Sequence, residues 1–188
     1  ISKHYQESLV LNVCNALEIS AIALRYQNVY GPGQSLSNPY TGILSIFSNL
    51  IRSNCDINIF EDGNESRDFV YIDDVVNSIY LSLTSNNALN KIFNVGSGIG
   101  TNVMTVANEL KKAYNSDINT SINGNYRIGD IRHNIADLSL INAELGFVPK
   151  IDFSEGIKRF VAWVKSQEIA ESNFEKSVEE MKQFGLLK

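Results

Sequence analysis

Apolar positions change period several times along the chain. Leu9, Val10, Val13 and Leu17 recur at helical spacing, which predicts a helix over 4–17. The apolar run Ile19–Leu24 is too short for a helix. It predicts a buried strand over 19–26, with the turn formers Gly31-Pro32-Gly33 just beyond it. Segment 35–42 is rich in turn formers and predicts a loop. Helical spacing returns over Ile43–Ile51, Asp56–Phe60 alternates like a short strand, and Glu61-Asp62-Gly63-Asn64 marks a turn. Phe69–Ile72 predicts another strand, followed by a helix to about Leu83 with Asp73 or Asp74 as its N-cap. Lys91–Val95 predicts a strand closed by Gly96-Ser97-Gly98. Thr101 is the expected cap of a helix reaching Tyr114, and Ile118–Ile122 is a weak strand. A short helix, Ser139–Leu145, is stopped by Gly146. The helix Ser154–Val164 offers Ile157, Phe160, Val161 and Trp163 for burial. The charged segment 169–184 has a helical pattern and is expected to be peripheral.

The order strand, helix, strand, strand, helix, strand, helix is mixed. It predicts an α/β fold, the end of a parallel sheet joined to a smaller α/β lobe, in which ligands sit just past the carboxyl ends of strands. No glycine-rich dinucleotide fingerprint occurs, and a complete doubly wound domain would need further strand–helix units before Ile1. The 188 residues suffice for one core, and 44% hydrophobic with 20% charged residues is the balance of a soluble globular protein. A net charge of −5 argues against non-specific nucleic-acid binding. The apolar runs are too short for a bilayer and no signal peptide is visible, so the expectation is a cytoplasmic protein without membrane association. Cys14 and Cys55, both in helix-like contexts, read as reduced thiols. With only His4 and His133 as histidines, no metal site is expected.

Four blocks then carry a resemblance. They are Ser2-Lys3 with Glu7; Leu24-Arg25-Tyr26-Gln27-Asn28-Val29-Tyr30-Gly31-Pro32; Glu61 through Asp74, with Arg67-Asp68-Phe69-Val70-Tyr71 at its centre; and Arg127-Ile128-Gly129-Asp130-Ile131-Arg132-His133 followed by Ala136-Asp137. In this order and spacing they resemble the C-terminal part of the extended short-chain dehydrogenase/reductases, the nucleotide-sugar epimerases and dehydratases of the UDP-glucose 4-epimerase type. The resemblance runs from Ile1 to about Lys165. It implies the C-terminal part of an extended Rossmann-type (doubly wound) enzyme plus a small mixed α/β substrate-binding lobe. Residues 1–34 and about 68–98 would contribute to the end of the Rossmann sheet. Residues 35–67 and 99–165 would form the lobe, and 166–188 a peripheral helical tail, with the N-terminal NAD-binding part absent.

The family's catalytic pair is Tyr-x-x-x-Lys on one helix. If Lys3 is that Lys, the Tyr falls two residues before Ile1, so the expectation is a fragment that is inactive alone. An ammonium one helical turn from a tyrosine stabilises its phenolate, which makes Lys3 the catalytic candidate. The resemblance also implies that Lys3 and Tyr26 contact NAD. Tyr26 and Asn28, one residue apart in a strand, would point the same way, with Asn28 on the substrate diphosphate. Guanidinium groups match phosphate oxygens in bidentate geometry, and the resemblance places Arg67 and Arg127 on that diphosphate. It places Asp130 on the ribose hydroxyls, Phe60 against the nucleobase and Asn134 beside the sugar. Plainer roles stand next to each: surface ion pairs for the arginines, a turn for Asp130, core packing for Phe60. His133 reads as a loop contact, and Asp68, Asp73 and Asp74 as caps or ion-pair partners.

The implied activity is NAD-dependent 4-epimerisation of a nucleotide-diphosphate sugar, by hydride removal and return at C4, in an enzyme that dimerises through helices such as 4–17. A 4,6-dehydratase, decarboxylase or reductase of the same family shares these features. A non-catalytic nucleotide-sugar binding module is the alternative of another class.

Overall fold

The computed structural model describes residues 2–36, 42–86, 89–168 and 174–187. The chain opens with helix α1 (Ser2–Ala16), then strands β1 (Ile22–Tyr26) and β2 (Asn28–Tyr30) and helix α2 (Ile43–Arg52). Next come β3 (Ile57–Ile59), β4 (Ser66–Tyr71), α3 (Ile72–Thr84), β5 (Lys91–Val95) and β6 (Gly100–Asn102). The remainder is α4 (Val103–Tyr114), β7 (Thr120–Ile122), β8 (His133–Asn134), α5 (Ser139–Leu145), α6 (Phe153–Lys165) and α7 (Phe174–Gln183).

The strand expected over 19–26 forms only from Ile22 and is not fully buried. β1 pairs in parallel with β5, the ladder breaks at Gln27, and β2 pairs in parallel with β4, Asn28 opposite Phe69. Gln27 N–H still reaches the Val95 carbonyl at 2.9 Å, so the break is a handover between two partner strands. β1 is only half-buried, because Ile22, Ala23 and Leu24 are partly covered and Arg25 and Tyr26 are exposed. β4 is the organising strand. It also pairs antiparallel with β6 and in parallel with β8, and β3 pairs separately with β7.

Alternation along β4 feeds two cores. Phe69 and Tyr71 join the larger one, with Tyr30, Phe47, Ile59, Leu110, Ile157 and Phe160. Val70 points the other way, into a smaller cluster with Val75, Phe93, Val95, Ile141 and Phe147. Asp68 lies fully buried on the same strand. Ser97 N–H and Oγ–H donate to it (both 2.6 Å), as do Gly98 N–H (3.0 Å) and Ala136 N–H (3.1 Å). A methyl group at Gly96 would collide with this carboxyl group, so the Gly-Ser-Gly turn after β5 closes around it.

Helix termini correct two expectations. The N-cap of α3 is Tyr71, not Asp73 or Asp74. Asp74 instead accepts the N–H groups of Lys150 (2.9 Å) and Ile151 (3.0 Å), and Asp73 faces Arg159 at 3.8 Å. Thr101 lies in β6, and Asn102 caps α4 by accepting Thr105 N–H at 2.7 Å. α5 ends at Gly146 (φ 64°), in the left-handed conformation its sequence predicts. Cys55 lies beyond the end of α2, exposed, and both cysteines are free thiols. The turn-rich segment 37–41 and residues 169–173 lie outside the described residues. No helix among the described residues is long and apolar enough to cross a membrane.

Candidate functional site

The turn between β3 and β4, the strand β4 and the loop after β7 converge on a cleft of about 280 Å³. Asn28, Phe60, Arg67, Arg127 and Asp130 all line it. These five positions span a hundred residues of sequence, and the pairing of β4 with β2, β6 and β8 gathers them. Asn58, Glu65, Thr101 and the apolar side chains of Ile43 and Phe47 complete the walls.

Both cleft arginines escape the ion pairs that are the commonest fate of a guanidinium. Among the described residues Arg25, Arg132 and Arg159 meet carboxyl groups, whereas Arg67 and Arg127 meet none, and neither does Arg52, which donates to the Gln167 and Glu168 carbonyls away from the cleft. Arg67 is steered by carbonyls, its Nη1 donating to Ser66 O at 2.9 Å and Arg132 O at 3.1 Å. Arg127 lies over the Phe60 ring, 5.7 Å from its centroid, and its buried Nε has no protein partner. Its backbone is braced from the far end of the chain. Arg127 bridges to Leu187, and Ile128 N–H donates to Leu186 O at 3.0 Å. The segment after α7 is therefore part of the wall behind Arg127 rather than purely peripheral. Asp130 follows through a turn in which its N–H reaches Arg127 O (3.3 Å) and Gly129 takes φ 87°.

The acidic members of this region are not equivalent. Arg132 pairs with Glu61 at 3.1 Å and Asp62 at 2.6 Å. The guanidinium holds the exposed Asp62 carboxyl down at about 2, so this pair persists until the pH falls through that value. Glu65 is 8% exposed, with its own backbone N–H and the Glu61 carboxyl, rather than a cation, beside its carboxyl group. Burial, and then Glu61 beside it, push its carboxyl above the ordinary range. Carboxyl oxygens of Glu61, Asp62 and Glu65 lie within 4.8 Å of one another.

The other candidates lie apart from the cleft. Tyr26 ends β1 before the break at Gln27, so it and Asn28 do not share one strand, and only Asn28 lines the cleft. Partial burial pushes the Tyr26 hydroxyl up, which keeps it a neutral phenol. Lys3 is exposed on α1 and does not line the cleft. Its helix is nonetheless tied to the end of β1, because Glu7, one turn after Lys3, takes two hydrogen bonds from Arg25 at 2.6 and 2.7 Å. Asn134 pairs with Arg67 in the β4–β8 ladder but is exposed and outside the cleft lining. His133 accepts or donates one contact, Nδ1 to Ser66 Oγ at 2.8 Å, as a loop residue. Sequence reading missed Glu65, Asn58 and Thr101. Glu65 carried a signal, since it stands two residues from Arg67 along extended chain and so shares its face.

The family model described as "NAD dependent epimerase/dehydratase family" matches residues 1–96. The chain is 42% identical over 150 residues to dTDP-L-rhamnose 4-epimerase of Burkholderia thailandensis, covering 80% of this chain and 41% of that protein. It superimposes with a TM-score of 0.79 and 33% identity on the UDP-glucose 4-epimerase of Thermotoga maritima, solved with UDP-glucose, covering 88% and 52% of the two chains. The UDP-N-acetylglucosamine 4-epimerase of Methanobrevibacter ruminantium gives 0.81 and 30%, covering 88% and 53%. The chain thus spans about half the length of the relatives it matches.

Proposed function

Because the chain belongs to the NAD dependent epimerase/dehydratase family, we propose that it carries the substrate grip of a nucleotide-sugar 4-epimerase. The observation that carries this reading is the pair of carboxylate-free guanidinium groups, Arg67 and Arg127, lining one cleft with Asn28 and Asp130. Pyrophosphate is the ligand group best matched to two such arginines. The relatives named above act on UDP- or dTDP-sugars, so the ligand is a pyrimidine-nucleotide sugar.

In this reading Arg67 and Arg127 clamp the diphosphate, with the Asn28 amide donating a further hydrogen bond. Asp130 accepts from the ribose hydroxyls, and the Phe60–Arg127 stack flanks the base. Holding the nucleotide alone leaves the sugar free to present either face, which inversion at C4 requires. NAD, when bound, supplies the hydride acceptor. Lys3 and Tyr26 are the residues of this chain assigned to it. The Glu7–Arg25 link supports that assignment, because it ties the Lys3 helix to the strand end that carries Tyr26. Lys3 would then hold a catalytic phenol in its ionised form. Asn134, outside the cleft lining, is assigned to the sugar side. The enzyme is proposed to work as a homodimer through α1.

The test is binding of UDP- and dTDP-sugars to the complete protein. Arg67→Ala is expected to lose about 1.5–3 kcal/mol for each charge-assisted hydrogen bond removed, and Arg127→Ala a similar amount. Titration calorimetry showing unchanged affinity in both variants would remove the arginines from the ligand site and the reading with them.

A further inference from the structure

α7 and the residues after it do not behave as a packed helix. Among the described side chains of this segment, 178–187, Leu187 alone is buried. No described side chain of α7 is buried, so the place where the segment is seated is its far end. The chain is shaped to reach that seat. Gly185 takes φ 65° where α7 stops, its N–H returns to Lys182 O at 3.0 Å, and Leu186 N–H returns to Met181 O at 2.8 Å. This pair of bonds closes the helix and redirects the chain. Leu187 then forms an antiparallel bridge with Arg127, and Leu186 O accepts Ile128 N–H at 3.0 Å.

Arg127 lacks other support of this kind. Its loop is tied before it, where Asn123 N–H donates to Ile59 O (3.0 Å) and Asn125 O accepts Glu61 N–H (2.7 Å). It is tied again after it, where Arg132 O accepts Ser66 N–H at 2.9 Å. Between these ties, from Tyr126 to Asp130, only the segment after α7 reaches the backbone from outside the loop, among the described residues. The bond from Asp130 N–H to Arg127 O is internal to the turn, and a methyl group on Gly129 would touch nothing. Phe60 meets the Arg127 guanidinium, which orients that group without fixing the backbone that carries it. Arg67 is placed differently, on a strand paired with both β6 and β8.

We propose that Leu187 is a positioning residue for Arg127: seated by the turn after α7, it fixes the backbone that aims this guanidinium into the cleft, and affinity for a nucleotide diphosphate depends on it. This rests on the reading of the cleft as a nucleotide-sugar site and adds the element that pre-organises one of its two arginines. A loop that must be ordered at the moment of binding subtracts its lost conformational entropy from the affinity. The coupling is reciprocal. If the seated segment tightens the ligand, the ligand holds the segment seated by the same factor.

The experiment measures Kd for UDP by titration calorimetry on the complete protein. Wild type is compared with Leu187→Asp, Leu187→Met and a form ended after Phe184. Leu187→Asp and the shortened form are expected to bind UDP about tenfold more weakly, within the usual range of such couplings. Leu187→Met keeps the side-chain volume and should bind like wild type. Leu187→Asp is then combined with each arginine variant. With Arg127→Ala its cost should shrink to under about twofold, because the group it positions is gone, and with Arg67→Ala it should stay about tenfold. An equal cost in the two backgrounds means a general loss of structure and overturns the proposal, as does wild-type affinity in the shortened form. Hydrogen exchange on the wild type decides the matter if these variants fail to fold. Saturating UDP should slow exchange of the Ile128 amide about tenfold, and an unchanged rate overturns the proposal. If Arg67→Ala and Arg127→Ala weaken UDP while the Leu187 outcomes fail, only the positioning role falls. If UDP binding depends on neither arginine, the cleft reading falls as well.

Discussion

A single buried carboxyl shows how the site is held at the level of one residue. Asp68 stands next to Arg67 on β4 but faces inward, where it gathers donors from Ser97, Gly98 and Ala136. It therefore joins β4 to the turn after β5 and to the chain leaving β8. In Asp68→Asn one oxygen becomes an NH2 group that faces buried N–H donors. The expected cost is about 2–4 kcal/mol, seen as a lower urea midpoint with an unchanged slope. A loss under about 1 kcal/mol would mean the acceptor role is dispensable. Sequence made Asp68 legible as structural, a cap or ion-pair partner, but not as the acceptor of backbone donors from two distant loops, which only the fold brings to it. It made the convergence of Arg67, Arg127 and Asp130 legible only through their motif blocks. Tyr26 and Asn28 were misread as strand neighbours, because nothing in the apolar pattern marks the handover at Gln27. That break depends on which strand sits alongside, β5 before it and β4 after it. Glu65 escaped notice for a related reason: an acidic residue beside a turn reads as solvated until the fold buries it.

At the level of elements, α6 packs closely on β2. Gly156 sits on the first turn of α6 against the Tyr30 ring, and a methyl group there would collide with the Tyr30 hydroxyl. Tyr30 is itself fixed by edge contacts with Phe69 and Tyr71 and a tilted contact with Phe153. Asn28 lies two residues earlier on the same strand. Gly156→Ala gains up to about 1 kcal/mol of helix propensity but forces α6 off β2. The net expectation is a loss of about 1–3 kcal/mol. Tyr30→Phe in the same chain removes the colliding oxygen, so the double variant should lose less than the two single losses added together. Strict additivity in a denaturant double-mutant cycle would contradict the steric account. Helices were the legible elements, since α2, α5 and α6 each carry buried apolar positions at helical spacing, and Gly146 marks the end of α5. Strands β2, β6 and β8, of two or three residues each, were not. They are strands only because β4 offers edges to pair with, and three residues are too few for a period to register.

For the whole molecule, α1 poses a question that the rest of the chain does not answer. Its apolar stripe predicted the helix correctly, yet the structure buries no residue of it. Tyr5, Leu9, Val10 and Val13 remain 47–67% exposed. A helix whose apolar side stays wet gains nothing from its pattern, so the stripe implies a covering surface. In the proposed homodimer that surface is the same helix of a second subunit, where a two-fold contact makes every pairing twice. Fully burying a Leu or Val side chain contributes about 1.5–3 kcal/mol, and Val13→Asp also puts a carboxylate into the apolar seam from each subunit. The substitution is expected to weaken self-association of the complete protein by at least about a hundredfold. The charged side chain replaces an exposed one, so the fold of each subunit should hold, while the thermal midpoint falls toward that of the monomer. Light scattering across a concentration series reads the outcome. A mass that stays dimeric in Val13→Asp and Leu9→Asp, or a wild type that is monomeric throughout, would show that α1 is covered by something other than its own copy.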